Sequence, residues 1–149
     1  IAAYLHHYEK MHAICSTSFA GMEQILKELQ QHGVRIAMVT GKGYRSTDIS
    51  LKYLGLTSYF ELIETGSPAG ARKAAGIEAV LHQLGGISRD EVIYVGDAPS
   101  DIAASKENNI KVIAAAWAET AEPEKLIPLL PDELFYSVDD FANWLYSKI

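Results

Sequence analysis

Two rhythms of apolar residues alternate along the chain, one at the period of a helix and one as short unbroken runs, and together they mark out its elements. Ile1, Leu5, Tyr8 and Met11 share helical spacing and predict an amphipathic helix ending near His12. After a polar break at residues 15–18, Met22, Ile25, Leu26 and Leu29 form a second helical stripe, closed by Gly33 as a C-cap. The run VRIAMV at residues 34–39 predicts a strand, and a helix from about Arg45 carries Ile49, Tyr53 and Leu54 as far as Gly55. Residues 60–63 predict a short strand, and Thr65, Gly66, Ser67, Pro68 and Gly70 a loop. Lys73 opens a helix with Ile77, Val80, Leu81 and Leu84 on one face, ended by Gly85 and Gly86. Val92, Ile93, Tyr94 and Val95 predict a strand buried on both faces that runs into Gly96 and Asp97, and Pro99 suits the first turn of the helix behind it. Residues 111–115 are a further buried strand, followed by a loop with Trp117. Residues 122–130 are helical but interrupted by Pro123 and Pro128, residues 134–136 suit a short edge strand, and Val138, Phe141, Trp144 and Leu145 mark a last helix.

Strands that alternate with helices predict an α/β fold, a mainly parallel sheet covered by helices on both faces. Ligands of such sheets bind beyond the carboxyl ends of the strands, and the polar residues that interrupt the apolar pattern collect there. Thr40 follows the 34–39 strand, with Gly41, Lys42 and Gly43 behind it. A hydroxyl and free backbone N–H groups at a turn before a helix form an anion pocket, with phosphate the obvious anion. TGKGYR is neither a Walker loop nor a dinucleotide fingerprint, because Ser46 stands where a third glycine would be needed. Asp97 ends the 92–95 strand and Asp101 follows about one helical turn later, so both carboxylates can face one crevice and hold a hard cation, Mg²⁺. Helix capping by Asp97 and solvation of Asp101 in a first turn would account for the same pair without a metal. Lys73 and Arg72 both stand where the helix dipole disfavours a cation, so this turn calls for an anionic partner.

Charge and composition narrow the partners. The chain has 149 residues, the length of one domain, with no repeat or linker to divide it. A net charge of −6 argues against a nucleic-acid partner, and no apolar run approaches the roughly 20 residues of a membrane span. Cys15 is the single cysteine, which fits a reducing compartment and makes the cytoplasm the expected location. His6, His7 and His12 lack the spacing and companions of a metal set. A hydroxyl, a cation and two carboxylates at one sheet edge suit phosphoryl transfer on a small phosphorylated substrate, chemistry that rests on positioning and charge neutralisation.

The apolar strand ending in Thr40, then Lys73, then the GDxxxD of residues 96–101, resemble in content and order motifs two, three and four of the haloacid dehalogenase-like (HAD) hydrolases. VTGKGYR, YFELIETG, YVGDAPSDIAAS and AAAWAE resemble most the phosphoglycolate phosphatase-like and pyrophosphatase-like branch. The resemblance implies a Rossmann-like three-layer sandwich, Mg²⁺ and an aspartyl-phosphate mechanism. Thr40, with Gly41 and Lys42, would hold the transferred phosphoryl group, Lys73 would screen charge, and Asp97 with Asp101 would anchor the metal. It also implies that residues 1–18 end a helical cap and residues 19–149 form the hydrolase core.

Two departures from the family pattern stand out. Ala74 and Ala75 follow Lys73 where the family usually has proline. No D-x-D, the motif that supplies nucleophile and general acid/base, occurs in these residues, so the strand that carries it, together with most of the cap, is expected to lie outside them. That strand belongs centrally, between the 34–39 and 92–95 strands. A catalytically inactive binding or regulatory relative is the alternative this leaves. A phospho-accepting receiver domain is a further alternative, but its threonine and lysine follow its acidic residues, whereas Thr40 and Lys73 precede Asp97.

Overall fold

The computed structural model describes residues 3–6, 21–66 and 73–149. A six-stranded parallel sheet runs through the middle, in the order β3-β2-β1-β4-β5-β6. Its strands are β1 (Ala3–His6), β2 (Arg35–Gly43), β3 (Leu62–Gly66), β4 (Val92–Gly96), β5 (Lys111–Ala115) and β6 (Glu133–Phe135). Between them lie α1 (Met22–Gln31), α2 (Tyr44–Leu54), α3 (Lys73–Leu84), α4 (Pro99–Glu107), the short α5 (Pro123–Leu126) and α6 (Val138–Tyr146). This is the expected α/β class, with the strand order of a Rossmann-like sheet.

Continuous apolar runs become two cores because successive strand residues point to opposite faces. On β2, Ile36 and Met38 join α1, Leu51 of α2 and Phe141 of α6 on one face. Ala37 and Val39 join Ile77, Val80 and Leu81 of α3 and Ile102 of α4 on the other. On β4, Ile93 and Val95 divide from Val92 and Tyr94 in the same way. Gly76 lets α3 lie close on the sheet, since a Cβ there would stand 2.9 Å from Val39 Cγ1. The far end of α4 is tied to the first turn of α3 by Asn108, whose Nδ2 donates to the carbonyls of Ala74 and Ala104, each at 3.0 Å.

Several expectations are corrected. Residues 3–6 are a strand and not part of a helix from Ile1 to His12. They pair in parallel with β2 on one side and β4 on the other, from Ala3 opposite Arg35 and Val92 to His6 opposite Met38 and Val95. A slot between two strands has backbone donors and acceptors on both edges, and satisfying them outweighs the weak helical preference of four residues. The central position expected to be vacant in these residues is therefore filled, by a strand with no carboxylate. Residues 7–18, expected to finish a cap, lie outside the described residues, as do His7, His12, Cys15 and Arg72.

The strand after Val34 does not stop at Val39. It continues through Thr40, Gly41 and Lys42 to Gly43, with its register against β3 shifting between Val39 and Gly43, and α2 begins at Tyr44. Irregularities of this kind occur beside active sites and re-aim side chains. β3 lies two to three residues further along than the 60–63 run suggested and takes in Thr65 and Gly66. The start of α3 at Lys73, the extent of β5 and the proline-interrupted segment before β6 agree with the sequence pattern.

Candidate active site

The expected residues gather along the carboxyl edge of the sheet and the helices that leave it. Thr40 stands near the end of β2 and is only 4% exposed. Its Oγ1 accepts the Lys42 N–H at 3.2 Å, so part of the expected donor-rich turn is closed on the threonine itself. Gly41 is exposed, while the half-buried Lys42 has its pKa lowered by burial. An anion beside that ammonium would favour its charged form and oppose the shift.

The best-defined part of the site is the turn from β4 into α4. Gly96 ends the strand, Ala98 is the N-cap and Pro99 the first helical residue, where its missing N–H costs nothing. Asp101, at the third helical position, reaches back so that its Oδ2 accepts the Ala98 N–H at 2.9 Å. Its Oδ1 accepts from Lys73 Nζ at 3.0 Å and from the Tyr94 hydroxyl at 3.1 Å. Lys73 also donates to Ser100 Oγ at 2.8 Å. Asp101 is 0% exposed and the Lys73 side chain 11%, so this is a buried ion pair with hydrogen bonds to spare, the geometry in which such a pair can hold. It answers the demand for an anion opposite the first turn of α3. Gly96 makes the arrangement possible: a Cβ there would come within 2.4 Å of Asp101 Cγ and Oδ2.

Asp97 differs from Asp101. It is half-buried at the strand end, and its Oδ2 accepts a hydrogen bond from Thr120 Oγ1, in the loop after β5. The Mg²⁺ expected between the two carboxylates can be weighed against these contacts. Both oxygens of Asp101 are engaged by protein donors in the interior, Lys73 among them. Asp97 keeps a position suited to a hard cation. Among the described residues no three His, Cys, Asp or Glu side chains come together as a metal-binding group. Mg²⁺ is commonly held by one or two carboxylates with waters and substrate phosphate in the remaining positions, so a single strand-end carboxylate fits the ion as one part of its shell.

Sequence reasoning placed Lys73, Asp97 and Asp101 but missed the groups that hold them. Tyr94 reads as core and is fully buried, yet its hydroxyl lies on Asp101. A tyrosine within an otherwise aliphatic buried strand was the available signal, because a buried phenol needs a partner. Ser100 and Thr120 gave no signal beyond lying on turns at the sheet edge. Trp117 is a packing residue, stacked on Phe141 of α6 with ring centroids 5.2 Å apart.

Comparison with known proteins sets this edge in context. The pattern of the haloacid dehalogenase-like hydrolases matches residues 1–115. A phosphoglycolate phosphatase of Rhodospirillum rubrum is 27% identical over 97% of this chain and 60% of its own length. One from Thiobacillus denitrificans is 32% identical over 78% of this chain and 52% of its own. Among solved structures, a haloacid dehalogenase-like family hydrolase from Streptococcus pneumoniae superposes with a TM-score of 0.75 at 23% identity, over 85% of this chain and 59% of its own. The chain thus spans a little over half the length of these relatives.

Proposed function

Since the chain belongs to the haloacid dehalogenase-like hydrolases, we propose that it forms the core of a Mg²⁺-dependent phosphatase acting on a small phosphate ester of the phosphoglycolate type or on pyrophosphate. The observation that carries the reading is the buried pairing of Lys73 with Asp101 at the carboxyl end of β4. Burying an ammonium there is useful where negative charge must be met in a fixed geometry, and phosphoryl transfer consists mainly of such positioning. In this reading Asp97 helps hold Mg²⁺, which when bound neutralises charge on the phosphate oxygens. Thr40 donates its hydroxyl to a phosphoryl oxygen, with Gly41 and Lys42 beside it. Lys73, steadied by Asp101, Tyr94 and Ser100, faces the phosphate and the nucleophile. No D-x-D occurs among these residues, and β1, in the central place of the sheet, carries no carboxylate, so the reading requires a nucleophilic carboxylate and a leaving-group acid that these residues do not place.

The composition supports a small substrate. A net charge of −6 opposes a polyanion, and among the described residues no helix is long and apolar enough to cross a membrane. The missing D-x-D also favours a second reading, a relative that binds phosphate without turning it over. Assay of the whole protein with phosphoglycolate, pyrophosphate and p-nitrophenyl phosphate, with and without Mg²⁺, decides between them. Metal-dependent release of phosphate that is lost in Asp97→Asn is expected. Substrate binding with no turnover would establish the second reading instead.

A further inference from the structure

We propose that Thr120, in the loop between β5 and α5, is a positioning residue for Asp97: its hydroxyl sets the rotation of the carboxylate that faces the metal. The inference rests on the reading of Asp97 as a Mg²⁺ ligand. Thr120 lies outside the Thr40, Lys73 and GDxxxD motifs, yet its Oγ1 donates to Asp97 Oδ2 across the carboxyl edge of the sheet. The torsion that turns an aspartate carboxylate has no sharp minima, so a side chain at a strand end needs an external donor to fix which lone pairs point outward. Thr120 is suited to this because its own loop is held. The Ala118 N–H bonds the Ala115 carbonyl at 3.3 Å and the Ala121 N–H the Ala118 carbonyl at 3.0 Å, one turn leading up to the threonine and one containing it. Trp117, three residues earlier, is stacked on the fully buried Phe141. The loop thereby connects the α6 face of the core to the carboxylate. Hydrogen bonds to ligating carboxylates are worth about 10- to 100-fold in metal affinity.

Thr120→Val removes the donor at nearly constant shape, and Thr120→Ser keeps it. Mg²⁺ affinity of the whole protein is measured by calorimetry for both and for Asp97→Asn, with thermal melting alongside. Thr120→Val is expected to weaken Mg²⁺ binding by about tenfold and Thr120→Ser by less than about twofold, with melting temperatures near that of the parent. Should Thr120→Val not fold, Thr120→Ala takes its place. If Asp97→Asn weakens binding and the variant lacking the hydroxyl does not, the role of Thr120 is overturned and the metal site stands. An equal loss in Thr120→Ser also overturns it, because packing would then be the cause. If Asp97→Asn binds Mg²⁺ like the parent, the metal reading fails, and the inference fails with it.

Discussion

Gly96 and Asp101 are so close that a single methyl group cannot be placed between them: a Cβ on Gly96 would lie 2.4 Å from the Asp101 carboxyl carbon. Gly96→Ala must displace either the strand end or the carboxylate that holds Lys73. Overpacking costs about 1–3 kcal/mol and disturbing a buried ion pair about 3–5 kcal/mol, so a loss near 3 kcal/mol is expected in urea unfolding. A loss below about 0.5 kcal/mol, typical of an unconstrained surface site, would show that the turn adapts freely.

Removing one member of the buried pair should be worse than removing both. Asp101→Asn or Lys73→Met leaves an uncompensated buried group and is expected to cost about 3 kcal/mol, whereas the double variant Lys73→Met with Asp101→Leu recovers most of that. Tyr94→Phe takes one donor from Asp101 Oδ1 and should cost about 1–2 kcal/mol. Additive losses in the double variant would mean that Lys73 and Asp101 do not act as a pair.

Lys73 rather than Arg72 is the cation we expect to serve turnover. Lys73→Ala in the whole protein should lower kcat by a far larger factor than Arg72→Ala, and the opposite ranking would shift the register of the turn that opens α3.

Gly76→Ala sets two known effects against each other. Alanine in a helix interior gains about 1 kcal/mol over glycine, but the new Cβ would meet Val39 Cγ1 at 2.9 Å in the core, where overpacking costs about 1–3 kcal/mol. Net destabilisation of about 1 kcal/mol is expected, and Val39→Ala in the same chain should relieve the clash. A melting temperature raised by Gly76→Ala alone would contradict the close approach of α3 to β2.

Part of the acid sensitivity of the sheet should pass through Glu61. Its carboxylate accepts from Arg35 Nε at 2.9 Å, and that hydrogen bond holds its pKa below the usual carboxylate value. A depressed carboxylate pKa gives stability that is complete above the unfolded-state value and is lost as pH falls through the folded-state value. Both side chains are well exposed, at 38% and 45%, so salt screens the pair and its contribution is small. Glu61→Gln should flatten the low-pH limb of the melting profile at low ionic strength and leave the neutral plateau nearly unchanged. A limb of the same slope in both proteins would assign acid sensitivity elsewhere.

The alternation of buried strands and one-faced helices was legible because each run carries its period over several residues. The strand 92–95 and the helix from Lys73 lie where the pattern put them. Ala3–His6 was misread because four residues cannot separate a helical period from an extended one, and their state is decided by β2 and β4. The extension of β2 past Thr40 was hidden by the glycines, which read as a turn but here sit in irregular strand. In the site, spacing picked out Asp101 but not the donors that meet it. Spacing places a carboxylate at an edge but does not show that Tyr94, Lys73 and the Ala98 N–H converge on it.

Asn108 gives the site a mechanical property that no active-site residue provides. Its amide fastens the first turn of α3 to the last turn of α4, while the Lys73–Asp101 pair joins the start of α3 to the start of α4. The first turn of α3 is thereby held to both ends of α4 and cannot open without releasing it. The turn presenting the lysine and the turn presenting the aspartates should therefore open as one cooperative unit, so that amide protons across both exchange with solvent at a common free energy rather than in the graded order of loose helix ends.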